Sequence, residues 1–292
     1  MQYKTRKKIK TDFIINEWQK SNIDVSRFFK DIPEIYIYKC LDTGYKFFYP
    51  FNTAGDDQFY QDLQQFDWYY MKDKWEYDEA FKLINKGDKV LEIGCGQGDF
   101  LKRLQDNNVD VTGIEFNEEA MRKSKEKGLN IYKETIQEHA KTHQKRYDIV
   151  CSFQVMEHIP EIGEAVRASI DTLKPGGKLI ISVPNNNSII NQDPKGLLNR
   201  PPHHIGLWDK KSLSNLEKIF NIKLEKIKTE PLQRHHYKTY YNMIFGNKIN
   251  DFFGDLAIKI NIVPKKILIY LLEKGLRKKI IGHSIIAIFT KK

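Results

Sequence analysis

The segment Val90-Leu-Glu-Ile-Gly-Cys-Gly-Gln-Gly-Asp-Phe100 restricts what this chain can become more than any other part of it. A short aliphatic run meets three glycines at alternate positions, and a helical pattern begins directly afterwards. Gly94, Gly96 and Gly98 remove side chains, so the backbone can turn tightly and come close to a ligand. Such a turn beyond a parallel strand lies at the carboxyl ends of the strands, in the crevice where open α/β sheets bind ligands. The flanking sequence agrees. Strands are expected at Lys89–Gly94, Val109–Glu115, Leu129–Lys133, Tyr147–Phe153 and Lys178–Val183. Helices are expected at Glu76–Ile84, Phe100–Gln105, Glu118–Lys127, Thr135–Lys141 and Glu161–Leu173. This alternation specifies an α/β fold with a mainly parallel sheet, its strands reading as short apolar runs because helices cover both faces.

Two nucleotide-like ligands compete for the turn. A dinucleotide fingerprint, G-x-G-x-x-G, needs glycine at position 99, which is Asp99. An acid there repels a pyrophosphate and suits a neutral adenosine carrying a sulfonium. Glu115 ends the next strand 21 positions after Gly94, where a carboxylate accepts two ribose hydroxyl hydrogen bonds. With these residues in place, Val90–Phe100 resembles motif I of the class I S-adenosylmethionine (SAM)-dependent methyltransferases. Val111–Asn117, Tyr147–Ile159 and Leu173–Pro184 resemble the three motifs that follow it in that family.

The resemblance implies a Rossmann-like, mainly parallel seven-stranded sheet with helices on both faces, and SAM as cofactor. It implies that Glu92 orders the glycine turn and that Gly94, Cys95, Gly96 and Gly98 line the methionine moiety. Glu115 would hold the ribose, Phe116 the adenine face, and Thr135 and Ile136 the adenine edge. Phe153 and Gln154 would close the methionine side. Tyr70, with Tyr69 and Trp75, is expected to cap the pocket through aromatic faces that stabilise a cation. Residues 1–75 read as an irregular aromatic-rich extension, 76–232 as the core, 233–280 as a helical insert or lid, and 281–292 as the final core strand. The last two strands, near 222–228 and 283–290, are expected to pair as a hairpin-like unit at one sheet edge.

Methyl transfer to oxygen or nitrogen needs an aligned acceptor and usually a base. His158, His203 and His204 are the candidates, all near the carboxyl ends of strands four and five. Pro201-Pro-His-His-Ile-Gly-Leu-Trp208 gives a stiff loop in which Trp208 can wall an apolar pocket. Gln154-x-x-Glu157-His158 also resembles the Glu-x-x-Glu-His arrangement of small-RNA and quinone-biosynthesis methyltransferases, where magnesium orients the acceptor. Gln154 stands where that pattern has a carboxylate, which weakens magnesium binding, and no metal is assigned. The aromatic stretch before motif I, with the later Pro-Pro-His-His, looks like a bacterial subfamily whose members often belong to pathways for surface polysaccharides or secondary metabolites.

Charge bears on the acceptor. The chain carries a net +10, but residues 1–10 hold +5 and residues 259–292 hold +8. The two ends together exceed the total, and residues 11–258 sum to −3. The middle is therefore no obvious phosphate-binding surface, and the expected acceptor is a small molecule or glycan, methylated at oxygen. RNA methylation is the runner-up, and a non-catalytic SAM-binding protein the third reading. The basic, amphipathic stretch 251–279 reads as a helical lid, with peripheral membrane contact as the alternative. Cys40, Cys95 and Cys151 are odd in number and unpaired in spacing, and no apolar run spans a membrane, so a cytoplasmic location is expected.

Overall fold

The computed structural model describes residues 3–63, 66, 71, 73–192, 196–246 and 265–292. Short β-branched and aliphatic runs form the strands β4 (Lys89–Ile93), β5 (Asp110–Ile114), β6 (Ile131–Tyr132), β7 (Tyr147–Phe153) and β8 (Leu173–Pro184). With β10 (Ile222–Pro231) and β11 (Ile281–Lys291) they make a seven-stranded sheet ordered β10-β11-β8-β7-β4-β5-β6. The pairs from β8 to β6 are parallel, whereas β11 runs antiparallel to both β8 and β10. The final two strands thus pair at one edge as expected, Ile227 opposite Ala287.

Helices cover both faces. On one side α3 (Trp75–Phe81), α4 (Asp99–Gln105) and α5 (Glu118–Glu126) bury Tyr77, Ala80, Leu101, Leu104 and Met121 against the sheet. On the other, α6 (Ile136–Thr142), α7 (Ile162–Thr172) and α8 (Lys210–Ser214) bury Ile136, Ala165, Val166 and Leu213. Strand residues face the two layers alternately, as Leu91 and Val90 do, because successive Cβ atoms point to opposite sides.

Several local expectations change. After Ser214 the chain leaves α8 and continues as a 3-10 turn over Asn215–Lys218. The third parallel strand is only two residues long, pairing Ile131 and Tyr132 with Gly113 and Ile114 at the sheet edge. The stretch before residue 75 is not irregular. It forms β1 (Tyr3–Lys10), β2 (Glu34–Cys40) and β3 (Lys46–Tyr49), with α1 (Thr11–Gln19) and α2 (Asp57–Leu63). These strands join β9 (Gly206–Leu207) in a separate antiparallel sheet ordered β1-β2-β3-β9. Its own core holds Ile14, Trp18, Ile35, Phe48, Phe59 and Leu63. Period-two alternation in Glu34-Ile-Tyr-Ile-Tyr-Lys-Cys40 is the local cause.

Between β10 and β11 lie α9 (Tyr237–Tyr241) and α10 (Lys265–Glu273), packed together through Leu232, Tyr237, Leu268 and Leu272. Residues 247–264, including much of the amphipathic stretch singled out above, fall outside the described residues. No helix among the described residues is long and apolar enough to cross a membrane.

Candidate active site

A cavity of about 1390 Å³ opens at the carboxyl ends of the parallel strands. One end is the glycine turn. The N–H groups of Gly94 and Cys95 both donate to Ile114 O, at 2.8 and 3.1 Å, folding the end of β4 onto β5. Gly94 has φ +67°, and a Cβ there would stand 2.4 Å from Val155 Cγ2, so glycine is required by conformation and by space. Gly98 serves differently. It does not line the cavity; a Cβ on it would meet Leu129 Cδ1 at 2.4 Å, which makes it a packing glycine behind the turn. Lys127 holds the turn from outside, donating to Gln97 O and Asp99 Oδ1 at 2.7 and 2.6 Å.

Glu115 organises this end. Its Oε2 accepts from Gly96 N at 2.8 Å, and its Oε1 accepts from Phe116 N and Asn117 N, each at 2.8 Å. Burial pushes its pKa up, and the three backbone N–H groups oppose that rise. Phe116, exposed, stands beside it on the cavity wall with Thr135 and Ile136. The Thr135 hydroxyl is spent on a capping box with Glu138, so it serves the start of α6. Glu92 is buried behind the turn and does not line the cavity; its Oε2 has no hydrogen-bond partner. Phe153 does line it, held edge-on by Tyr77 and Phe100. Gln154, at φ +59°, reaches across three elements: its Nε2 donates to Glu76 Oε1, Ser182 Oγ and Ser284 Oγ. Trp75 lines the cavity, whereas Tyr69 and Tyr70 lie outside the described residues.

The other end brings the three candidate histidines together. Glu157 O accepts from Ile205 N and Gly206 N at 2.9 and 2.7 Å, which fastens the Pro-Pro-His-His loop against β7's following turn. The His203 and His204 rings stack at 4.4 Å, and His158 meets them edge-on at 4.8 and 4.9 Å. His158 Nδ1 faces His203 O at 2.5 Å and His203 Nδ1 faces Leu198 O at 2.9 Å. A carbonyl only accepts, so in both rings Nδ1 carries the proton and Nε2 keeps its lone pair. Burial lowers His158 to about 4 and His203 to about 3, leaving both neutral near pH 7. Glu157, buried among them, is pushed up to about 8 by desolvation. Trp208 does not wall the cavity; it is buried against Tyr45, with ring centroids 4.3 Å apart.

The residues not anticipated come from the far edge. Glu230, Gln233, His236 and His283 line the same cavity, as does Tyr60 of α2, whose hydroxyl lies 3.2 Å from His158 Nδ1. Paired His235-His236 was the only signal for that side. Burial, helped by Glu76, raises Glu230 from 4.5 to about 7. The folded carboxyl therefore holds its proton more tightly than the unfolded one. Its stabilising contribution is full below about pH 4.5 and is lost as pH rises through about 7. Urea unfolding of wild type should lose up to about 3 kcal/mol across that window from this group. Glu230→Gln should remove that part of the slope, and identical slopes in the two proteins would contradict the assignment.

A family model described as a methyltransferase domain matches residues 66–226, more than half of the chain. The chain is 35% identical over 107 residues to a ubiquinone biosynthesis O-methyltransferase of Citrobacter koseri. It is 36% identical over 107 residues to the protein of the same name in Escherichia fergusonii. These matches cover 35% of this chain and 44% and 45% of those proteins, so the chain spans less than half the length of the curated relatives it matches. Among solved structures, a SAM-dependent methyltransferase from Thermotoga maritima superposes with a TM-score of 0.52 at 15% identity, over 81% of this chain and 98% of that one. The MccD protein superposes with a TM-score of 0.50 at 18% identity, over 75% and 97%. At such identities the two structures share the fold.

Proposed function

The chain belongs to the class I SAM-dependent methyltransferases, and from that premise we propose that it transfers the SAM methyl group to a hydroxyl of a small, non-anionic acceptor, a phenol-like molecule or a sugar. The observation that carries this reading is the shared cavity: the glycine turn with Glu115 at one end, the neutral imidazoles with Glu157 at the other. Its volume, about 1390 Å³, exceeds the roughly 300–1,000 Å³ typical of a site for one drug-sized ligand, leaving room for cofactor and acceptor together. In this reading SAM lies between Gly94, Gly96, Glu115 and Phe116, with Phe153 and Gln154 on its methionine side. The acceptor hydroxyl lies against His158, whose side chain is 19% exposed, the ring nearest the open part of the cluster. His158 Nε2 takes the hydroxyl proton as the oxygen attacks the methyl carbon, the C–S bond breaks, and its electron pair stays on sulfur. His203 and His204 fix the His158 side chain and close the site to water.

The lining also bears on the acceptor's charge. Asp57, Asp73, Glu76, Asp99, Glu115 and Glu161 face the cavity, and among the described residues Lys74 is the one lysine or arginine that lines it. That set suits a sulfonium and an uncharged or cationic acceptor, and it disfavours the phosphates of RNA. The O-methyltransferase name of the curated relatives supports oxygen as the acceptor atom.

Incubation with methyl-labelled SAM and a panel of phenols, catechols and free sugars should place label on oxygen. His158→Ala should lower kcat about 10²–10⁴-fold and leave SAM affinity nearly unchanged. Label found only on nitrogen or RNA, or an unaltered kcat in the variant, would overturn the reading.

A further inference from the structure

We propose that α10 and the turn after it, residues 265–281, form a docking face for an anionic phospholipid surface. The inference does not depend on the acceptor assigned above. Leu268 and Leu272 point inward and close a small core with Leu232 and Tyr237. The opposite side of the same helix is apolar as well: Ile267 is 51% exposed, Tyr270 59% and Leu271 45%. Their spacing, i, i+3 and i+4, puts them on one face. Leu276 and Ile281, also exposed, extend the apolar surface past the helix end. A surface helix ordinarily turns polar residues to water, and a helix apolar on both sides calls for cover on both.

The charge around that face identifies the cover. Residues 265–279 hold six cations, Lys265, Lys266, Lys274, Arg277, Lys278 and Lys279, and one acid, Glu273. None of the six forms an ion pair with a described residue, and Glu273 stands 4.0 Å from a further cation, Arg234. The helix α5 shows the contrast. Its exposed Arg122 and Lys123 bridge Glu119, and Arg122 also bridges Glu126, the pattern of a face left in water. On α10 the Lys274 ammonium lies 5.5 Å from the centre of the Tyr270 ring, so charge and apolar surface adjoin. A second copy of the chain fits poorly, because a twofold contact sets the patch against itself, cations facing cations. A nucleic acid would pair the cations and leave Ile267 and Leu271 in water. An anionic bilayer satisfies both, its phosphates meeting the lysines and arginine, its acyl boundary the aliphatic side chains, and tyrosine lying at the level between. Leu232 N donates to Arg277 O and Ile280 O, and the adjoining Gln233 and His236 line the cavity. The docking face and the far wall of the cavity therefore belong to one packed unit.

Flotation of the full-length protein with lipid vesicles tests this. Vesicles of equimolar phosphatidylglycerol and phosphatidylcholine should carry the protein upward. Vesicles of phosphatidylcholine alone should carry at least about tenfold less, and high salt should release the bound protein. Ile267→Ser with Leu271→Ser, and separately Lys278→Glu with Lys279→Glu, should each weaken vesicle binding at least about tenfold. Circular dichroism and SAM affinity should match wild type in both, since none of the four residues lines the cavity. The charge-reversed pair keeps the test decisive should the apolar pair fail to fold. Absence of flotation with anionic vesicles, equal flotation with neutral ones, or wild-type flotation of either folded variant would overturn the proposal. So would a dimer in sedimentation that Ile267→Ser with Leu271→Ser dissolves, which would give the face to a second copy of the chain.

Discussion

Glu115→Ala is expected to weaken SAM binding by at least about 100-fold, the largest loss of affinity from any single truncation in the cavity. Hydrogen bonds to a charged acceptor contribute about 1.5–3 kcal/mol each, and the proposed ribose contacts number two. The carboxylate also collects the N–H groups of Gly96, Phe116 and Asn117, so its removal leaves three donors to find water and frees the glycine turn from the end of β5. Calorimetric titration of SAM into wild type and variant measures the loss. Glu115→Gln, which keeps one carbonyl oxygen, should fall between them. An Ala variant that binds within about threefold of wild type would remove Glu115 from the cofactor site.

Trp208→Ala should be the most destabilising of the loop substitutions, by about 3–5 kcal/mol, the range for truncating a large buried aromatic. Trp208 is 1% exposed and packs with Tyr45 and Leu213 in the cluster that runs beneath β7 and β8. It therefore couples the N-terminal sheet to the parallel sheet, four residues from His204. Its Nε1 is buried without a hydrogen-bond partner, so Trp208→Phe forfeits no polar contact and should cost much less, about 1–2 kcal/mol. Urea unfolding monitored by far-ultraviolet circular dichroism gives both values. A cost below about 1 kcal/mol for the Ala variant would mean that the joint between the two sheets does not depend on this side chain.

At the glycine-turn end of the cavity the sequence was legible in detail, and at the other end it offered His158, His203 and His204 as candidates without the contacts that join them. Gly94, Gly96, Asp99 and Glu115 lie within one strand-turn-helix-strand unit, where spacing along the chain and spacing in the fold coincide. That locality is why the parallel sheet, its order of helices and the place of Glu115 were legible. Even there the pattern grouped Gly98 with the ligand-facing glycines, because one alternate-glycine motif contains residues with two different duties. The acceptor end is built from long-range contacts that no local pattern encodes. His158 and His203 are 45 positions apart and Tyr60 is 98 from His158, so their meeting depends on the bonds from Ile205 and Gly206 to Glu157 O. The extension reads as irregular for a different reason: its many Tyr and Phe residues mask the alternation within Glu34–Cys40 that forms a strand. Glu230, His236 and His283 were hidden because they reach the cavity from opposite ends of the segment between the last two strands.

The most direct test of the account is a crystal structure of the protein with S-adenosylhomocysteine. The prediction is a ligand whose ribose hydroxyls hydrogen-bond to Glu115, whose adenine lies against Phe116 and Ile136, and whose sulfur points toward the chamber holding His158. A ligand seated elsewhere in the cavity, or one whose sulfur faces away from the histidines with the ribose out of reach of Glu115, would contradict it.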